Sequence, residues 1–153
     1  MALPDTLVRS SSTEELAAFR AELGDRFPAE QLQAFDTALV ELKLDAMNRG
    51  VAAASDRDQQ VQALIHGKTV RAAETLGWQA RRSRILSETA YLSGLLDADL
   101  KAQQRTAATG TPASVITHLQ NEQDILARLH RDLTATEQQL AAWSLPPAPP
   151  AKP

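Results

Sequence analysis

The chain contains no cysteine, which excludes disulfides and thiolate metal ligands. Aromatic residues make up only 4% of it, too few for the stacking platforms of single-strand nucleic-acid binders. β-branched residues are scarce and never cluster as a strand needs. No apolar run approaches the ~20 residues of a membrane span. Neither sign of charge dominates: 16 basic against 19 acidic residues give a formal charge of −3. That balance does not draw in nucleic acid by bulk electrostatics. Met1-Ala2-Leu3-Pro4 lacks the basic and apolar regions of a signal peptide. Either the protein is cytosolic, or a leader preceded this chain and was removed.

What is present favours helix. Ala, Leu, Gln, Arg and Glu dominate, and these residues lose little side-chain freedom in a helix. With 153 residues, 43% of them hydrophobic, the chain is long enough to bury a core unaided.

Residues 1–11 read as an irregular lead-in. Ser12 is an N-cap with Glu15 completing a capping box. The short helix that follows buries Leu16, Phe19 and Leu23 and ends at Gly24. Pro28 suits a first helical position. From there to about Arg49, Leu32, Phe35, Leu39, Leu42 and Ala46 form one apolar stripe, and Gly50 is the stop. Ser55 is expected to open another short helix, carrying Val61, Leu64 and Ile65 and ended by Gly67. Thr69 caps the longest segment, which runs to about Ala108. Gly77 is expected to kink or interrupt it. Its buried stripe is Trp78, Ile85, Leu92, Leu96 and Leu100, widened by Leu86 and Leu95. Gly110-Thr111-Pro112 is a stop-and-restart signal. The last helix reaches about Trp143, with Val115, Leu119, Leu126, Leu129, Leu133, Leu140 and Trp143 in an a/d pattern broken at Glu122 and Thr136. The tail from Leu145 to Pro153 reads as exposed polyproline II.

The predicted fold is therefore all-α: an elongated antiparallel helical hairpin or bundle of two to three long helices, with two short helices and a Pro-rich C-terminal tail. At 1.5 Å per residue the hairpin is roughly 45 Å long. The expected organisation is a lead-in (1–11), one helical domain (12–144) and a disordered Pro-rich tail (145–153). Stripes of this length also suit a homodimer.

Few motifs ask for chemistry. Gly67-Lys68-Thr69 matches the end of a phosphate-binding loop, but the glycine due five residues earlier is Gln62 and the preceding residues read as helix, where a strand is needed. His66, His118 and His130 include no pair four apart, and His66 reads as a cation at a helix C-terminus. Asp97 and Asp99 point in different directions, and no Ser-His-Asp arrangement is recognisable. No catalytic, cofactor or metal residues are assigned, and an enzyme is not expected. The densest basic cluster is Arg81-Arg82-Ser83-Arg84, with Arg71 and Trp78 upstream. Trp78 and Arg82, one turn apart, are expected to stack. Arg71, Trp78, Arg81, Arg82 and Arg84 are the candidate partner-binding residues. The alternative is a solvated helix face, with Arg84 paired to Glu88.

Three stretches carry a resemblance by their order: Ser11-Ser12-Thr13-Glu14-Glu15, Phe35-Asp36-Thr37-Ala38-Leu39, and Ala63-Leu64-Ile65-His66-Gly67-Lys68-Thr69-Val70. Over roughly residues 5–100 the chain resembles an uncharacterised family of small helical lipoproteins of Gram-negative bacteria. The resemblance implies a leader and an acylated cysteine, both absent from this chain, and no catalytic residues. It implies a periplasmic location, or anchoring to a membrane facing the periplasm. It also implies a non-enzymatic binding function toward another protein, such as an inhibitor or immunity protein. Any membrane contact would be made through the lipid anchor alone. The alternative is a cytosolic scaffold or chaperone-like homodimer.

Overall fold

The structure, a computed structural model, describes residues 1–144; the expected polyproline tail, 145–153, lies outside them. Five α-helices carry the fold: α1 (Thr13–Arg26), α2 (Ala29–Asn48), α3 (Ala54–Ile65), α4 (Val70–Thr106) and α5 (Ala113–Ser144). Among the described residues the only extended pairing is an isolated antiparallel bridge between Leu7 and Thr69. The class is all-α, as the composition predicts. No helix among these residues is long and apolar enough to cross a membrane.

Several boundaries follow from local chemistry as expected. Ser12 Oγ accepts the Glu15 N–H at 3.0 Å. The reciprocal bond of the capping box shifts by one residue, because the Glu15 carboxylate takes the Ser11 N–H at 2.6 Å and also the Ser11 hydroxyl. Gly50, Gly67 and Gly110 adopt positive φ, the left-handed stop that a side chain disfavours. Thr69 Oγ1 accepts the Ala72 N–H at 3.1 Å, so Gly67-Lys68-Thr69 is a helix stop, a link and a cap.

Other boundaries need correction. Helix α1 runs through Gly24 to Arg26 and stops at the extended residue Phe27. The residue before a proline is pushed out of the helical region, and Pro28 follows. Pro28 is itself the cap of α2 rather than its first helical residue. Helix α3 begins at Ala54, with no side-chain cap on Ala53, so Ser55 lies inside it. The Arg57 guanidinium secures this start by donating to the carbonyls of Val51 and Ala52 at 2.9 and 2.6 Å. Gly77 does not interrupt α4, which continues unbroken past it.

The described residues gather into two compact units, residues 1–81 with 140–144, and residues 82–139. Helices α4 and α5 each contribute to both.

The core of the first unit is built from Phe19 and Leu23 of α1, Leu32, Phe35 and Leu42 of α2, Val61 and Ile65 of α3, and Val70 and Ala73 of α4. Phe19 meets Phe35 edge-on, with centroids 6.2 Å apart. Complete burial of a side chain such as Phe35 contributes roughly 1.5–3 kcal/mol. The α2 stripe is buried as predicted, except that Leu39 is only partly covered. Leu64, expected in the α3 stripe, is exposed.

The lead-in is irregular but firmly attached. Leu3 and Val8 are buried in the core. The Val8 N–H donates to the Lys68 carbonyl at 2.8 Å, and Gly67 and Val70 donate back to Val8 and Thr6 at 2.9 and 2.8 Å. The Ser10 hydroxyl donates to the Gln62 carbonyl at 2.8 Å. Ser10 N–H donates to His66 Nδ1 at 3.0 Å. His66 thus ties the lead-in to the end of α3.

In the second unit, residues 82–106 of α4 and 113–139 of α5 run antiparallel. Arg82 pairs with Glu137 at 3.0 Å near one end, and Asp99 meets His118 at 3.3 Å toward the other. The seam buries Ile85, Leu119, Leu126 and Leu129. Glu122 and Thr136 do not break the α5 pattern. They occupy its seam positions and are themselves buried, and the Thr136 hydroxyl is satisfied by donating to the Asp132 carbonyl at 2.7 Å. Leu86 and Leu95 are exposed and do not widen the buried stripe, because two helices share one seam and leave its flanks to solvent.

Candidate functional site

The residues singled out in the basic cluster fall into both units, and each has a partner within its own. In the first unit, Arg71 Nε contacts the Glu74 carboxylate at 2.9 Å, and its guanidinium lies 4.8 Å from the Trp143 ring centroid. Trp78 meets Trp143 edge-on at 5.6 Å and donates its indole N–H to the Ala34 carbonyl at 3.1 Å. It is Arg81, three residues on, whose guanidinium stands 5.4 Å from the Trp78 ring. Arg81 also reaches the nearly buried Glu41 at 3.4 Å. Burial raises the Glu74 carboxyl above its ordinary range, and the Arg71 contact opposes that shift.

The expected stacking of Trp78 on Arg82 is replaced by stacking on Arg81. Arg82 instead pairs with Glu137 in the second unit, and Arg84 pairs with Glu88 at 3.0 Å. Exposed pairs of the Arg82 kind contribute about 0–1 kcal/mol. The Arg71, Trp78 and Arg81 group is an internal clamp that holds the start of α4 to Trp143 and α2. Beside it a cleft of about 630 Å³ includes Arg20, Asp36, Glu41 and Arg81. Glu30 lines it as well, and within it Arg20 grips Asp36 through two bonds of 2.6 and 2.7 Å.

A second constellation was not anticipated. Asp99 of α4 meets His118 and Glu122 of α5, and their candidate ligand atoms all lie within 4.8 Å of one another. His118 Nε2 stands 3.0 Å from Glu122 Oε1 and 3.3 Å from Asp99 Oδ2. Glu122 is only 5% exposed, and its second oxygen, Oε2, has no hydrogen-bond partner. Burial holds the Glu122 carboxyl above its ordinary range and the neighbouring Asp99 pushes it further up, while His118 pulls it down. Asp99 and His118 also line a cleft of about 570 Å³ that extends to Gly110 and Pro112.

A search for two histidines four apart misses this arrangement, because the i,i+4 partner of His118 is a glutamate and the third member comes from another helix. The available signal was Glu122 itself, a carboxylate at a seam position between Leu119 and Leu126. Asp97, by contrast, turns away from the group to pair with Lys101 at 2.9 Å.

No protein-family model, curated protein or solved structure matches the chain.

Proposed function

We propose that this chain is a non-enzymatic protein-binding module whose recognition surface is the helical hairpin of residues 82–139. The observation that carries this reading is a set of large apolar side chains left in water on that hairpin. Leu86, Tyr91 and Leu95 of α4 and Ile116 and Ile125 of α5 are exposed, Tyr91 by 71%. None of the five belongs to the buried row of Ile85, Leu119, Leu126 and Leu129, and each leaves at least 39% of its surface in water. Aromatic and aliphatic residues in such positions are what protein interfaces bury.

The basic cluster is a weaker candidate surface, since each of its members is engaged within the chain. The cleft beside Arg81 also gives little support to catalysis by the cluster, because Arg81 is engaged by Glu41 and Trp78. The partner is another protein rather than a nucleic acid, in keeping with the balanced charge. Placement on the periplasmic side of an envelope membrane, and a role as inhibitor or immunity protein, rest on the family resemblance alone. The flanking apolar residues also suit a second copy of the chain, and this is the specific observation behind the homodimer reading.

Photo-crosslinking from position 91 in cells, followed by fractionation, tests both readings. One stoichiometric foreign protein in the envelope fraction, lost in Leu95→Asp with unchanged thermal stability, is the expected result. Crosslinks only between copies of this chain would transfer the reading to the homodimer. Capture that survives Leu95→Asp and Ile125→Asp would remove the hairpin as the surface.

A further inference from the structure

We propose that Asp99, His118 and Glu122 bind one divalent transition-metal ion, of which Zn²⁺ is the best match, as a clamp between α4 and α5. This inference stands apart from the binding-module reading and on different residues.

Glu122 carries the clearest deficit in this group. Its seam position is flanked by the buried Leu119 and Leu126. A carboxylate taken out of water is costly unless it is paired and hydrogen-bonded. His118 Nε2 meets Glu122 Oε1, and Oε2 is left without a hydrogen-bond partner. A second carboxylate, Asp99, meets the same nitrogen. An imidazole Nε2 offers at most one proton, so it cannot satisfy both carboxylates and the orphan oxygen. Protonated, the histidine would still leave a net negative charge on the group. A divalent cation removes both deficits, since it is bound by the lone pair of a neutral imidazole and balances two carboxylates.

The two spacings at His118 agree with this. Metal–ligand distances for His nitrogen and carboxylate oxygen are about 2.0–2.2 Å, which puts neighbouring ligand atoms about 3.3–3.6 Å apart in a tetrahedral site and about 2.8–3.1 Å apart in an octahedral one. The two contacts at Nε2 are 3.0 and 3.3 Å. His118 and Glu122 lie on one face of α5 because residues four apart do. Antiparallel pairing of α4 and α5 brings Asp99 to them.

One imidazole and two carboxylates form a mixed set that suits first-row divalent ions. Mg²⁺ and Ca²⁺ prefer oxygen alone. Three protein ligands leave a coordination position open, as in sites that also hold water or a small ligand. The adjoining cleft, with Asp99 and His118 in its wall and Gln103, Thr106 and Ser114 nearby, gives that position access to solvent.

The test is calorimetric titration of the full chain, stripped with a chelator, with Zn²⁺ alone. One ion per chain is expected, with a rise in melting temperature on saturation. His118→Ala should weaken binding at least tenfold and leave the fold intact, because that side chain is 63% exposed. Asp99→Asn and Glu122→Gln should do the same with unchanged circular dichroism. His130→Ala should have no effect. Substitution by Co²⁺ should give a visible absorption band that disappears in His118→Ala. Absence of saturable binding, equal affinity in the three variants, or equal competition by Mg²⁺ would overturn the proposal.

Discussion

A β-carbon placed on Gly77 of α4 would lie 2.3 Å from the α-carbon of Ala38 and 2.4 Å from its β-carbon. At this point α2 and α4 touch almost backbone to backbone, and Gly77 marks that contact rather than a break. In an exposed helix, Gly→Ala stabilises by about 1 kcal/mol. Here the added methyl meets main chain, which cannot give way as a side chain can. Gly77→Ala should therefore destabilise by about 2 kcal/mol or more. Gly94 lies in the same helix with nothing within 4 Å of the added atom, and Gly94→Ala should be stabilising. Urea unfolding of the two variants checks the opposite signs.

Arg81 and Arg82 are neighbours with different roles. Arg81 covers Trp78 and contacts the almost buried Glu41, so Arg81→Ala should cost about 2 kcal/mol. Arg82 and Glu137 are each about half exposed, and Arg82→Ala should stay within about 0.5 kcal/mol. Equal small losses in thermal melts would mean that the internal clamp contributes little.

The response of stability to pH has two opposing parts. Glu74 and Glu122 are raised above the reference value of 4.5, in each case chiefly by burial. Their contribution is full below that value and is lost as pH rises through their folded values. Glu15 is lowered by the Ser11 hydroxyl and N–H, so its contribution is present above 4.5 and lost as pH falls through its folded value. Glu122→Gln, measured with chelator present, should flatten the decline above pH 4.5, and Glu15→Gln should flatten the decline below it. Urea midpoints collected from pH 3 to 8 separate the two arms.

Val8 tests whether the lead-in belongs to the core. It is almost completely buried, and Val8→Ala removes two methyl groups from a filled site, at a cost of about 1–3 kcal/mol. A melting temperature within a degree of the parent would show that this segment docks without stabilising.

Much of the first unit could be read before any coordinates. The spacing of Leu32, Phe35, Leu42 and Ala46 by three, seven and four residues identified a buried face because helical period alone decides which residues share a side. Ser12, Thr69 and Gly67 marked termini because capping is a local reaction of the backbone. Gly24 and Ser55 misled for the converse reason. Each has the chemistry of a boundary, but Pro28, four residues on from Gly24, and Arg57, two residues on from Ser55, decided where the chain turned. The candidate site was legible only in part. The basic residues were found, but their partners Glu41, Glu137 and Trp143 are remote in sequence.

Composition and periodicity determined that this protein is all-helical, and they determined which face of α2 is buried. Both are properties of residues within a turn or two of one another. Tertiary structure alone decided that Gly77 is a contact, that Leu86 and Leu95 meet water, and that Asp99 lies against His118 and Glu122. Those outcomes depend on which neighbour each helix meets and in what register. Residues nineteen and more apart set that register, through packing that no local pattern encodes.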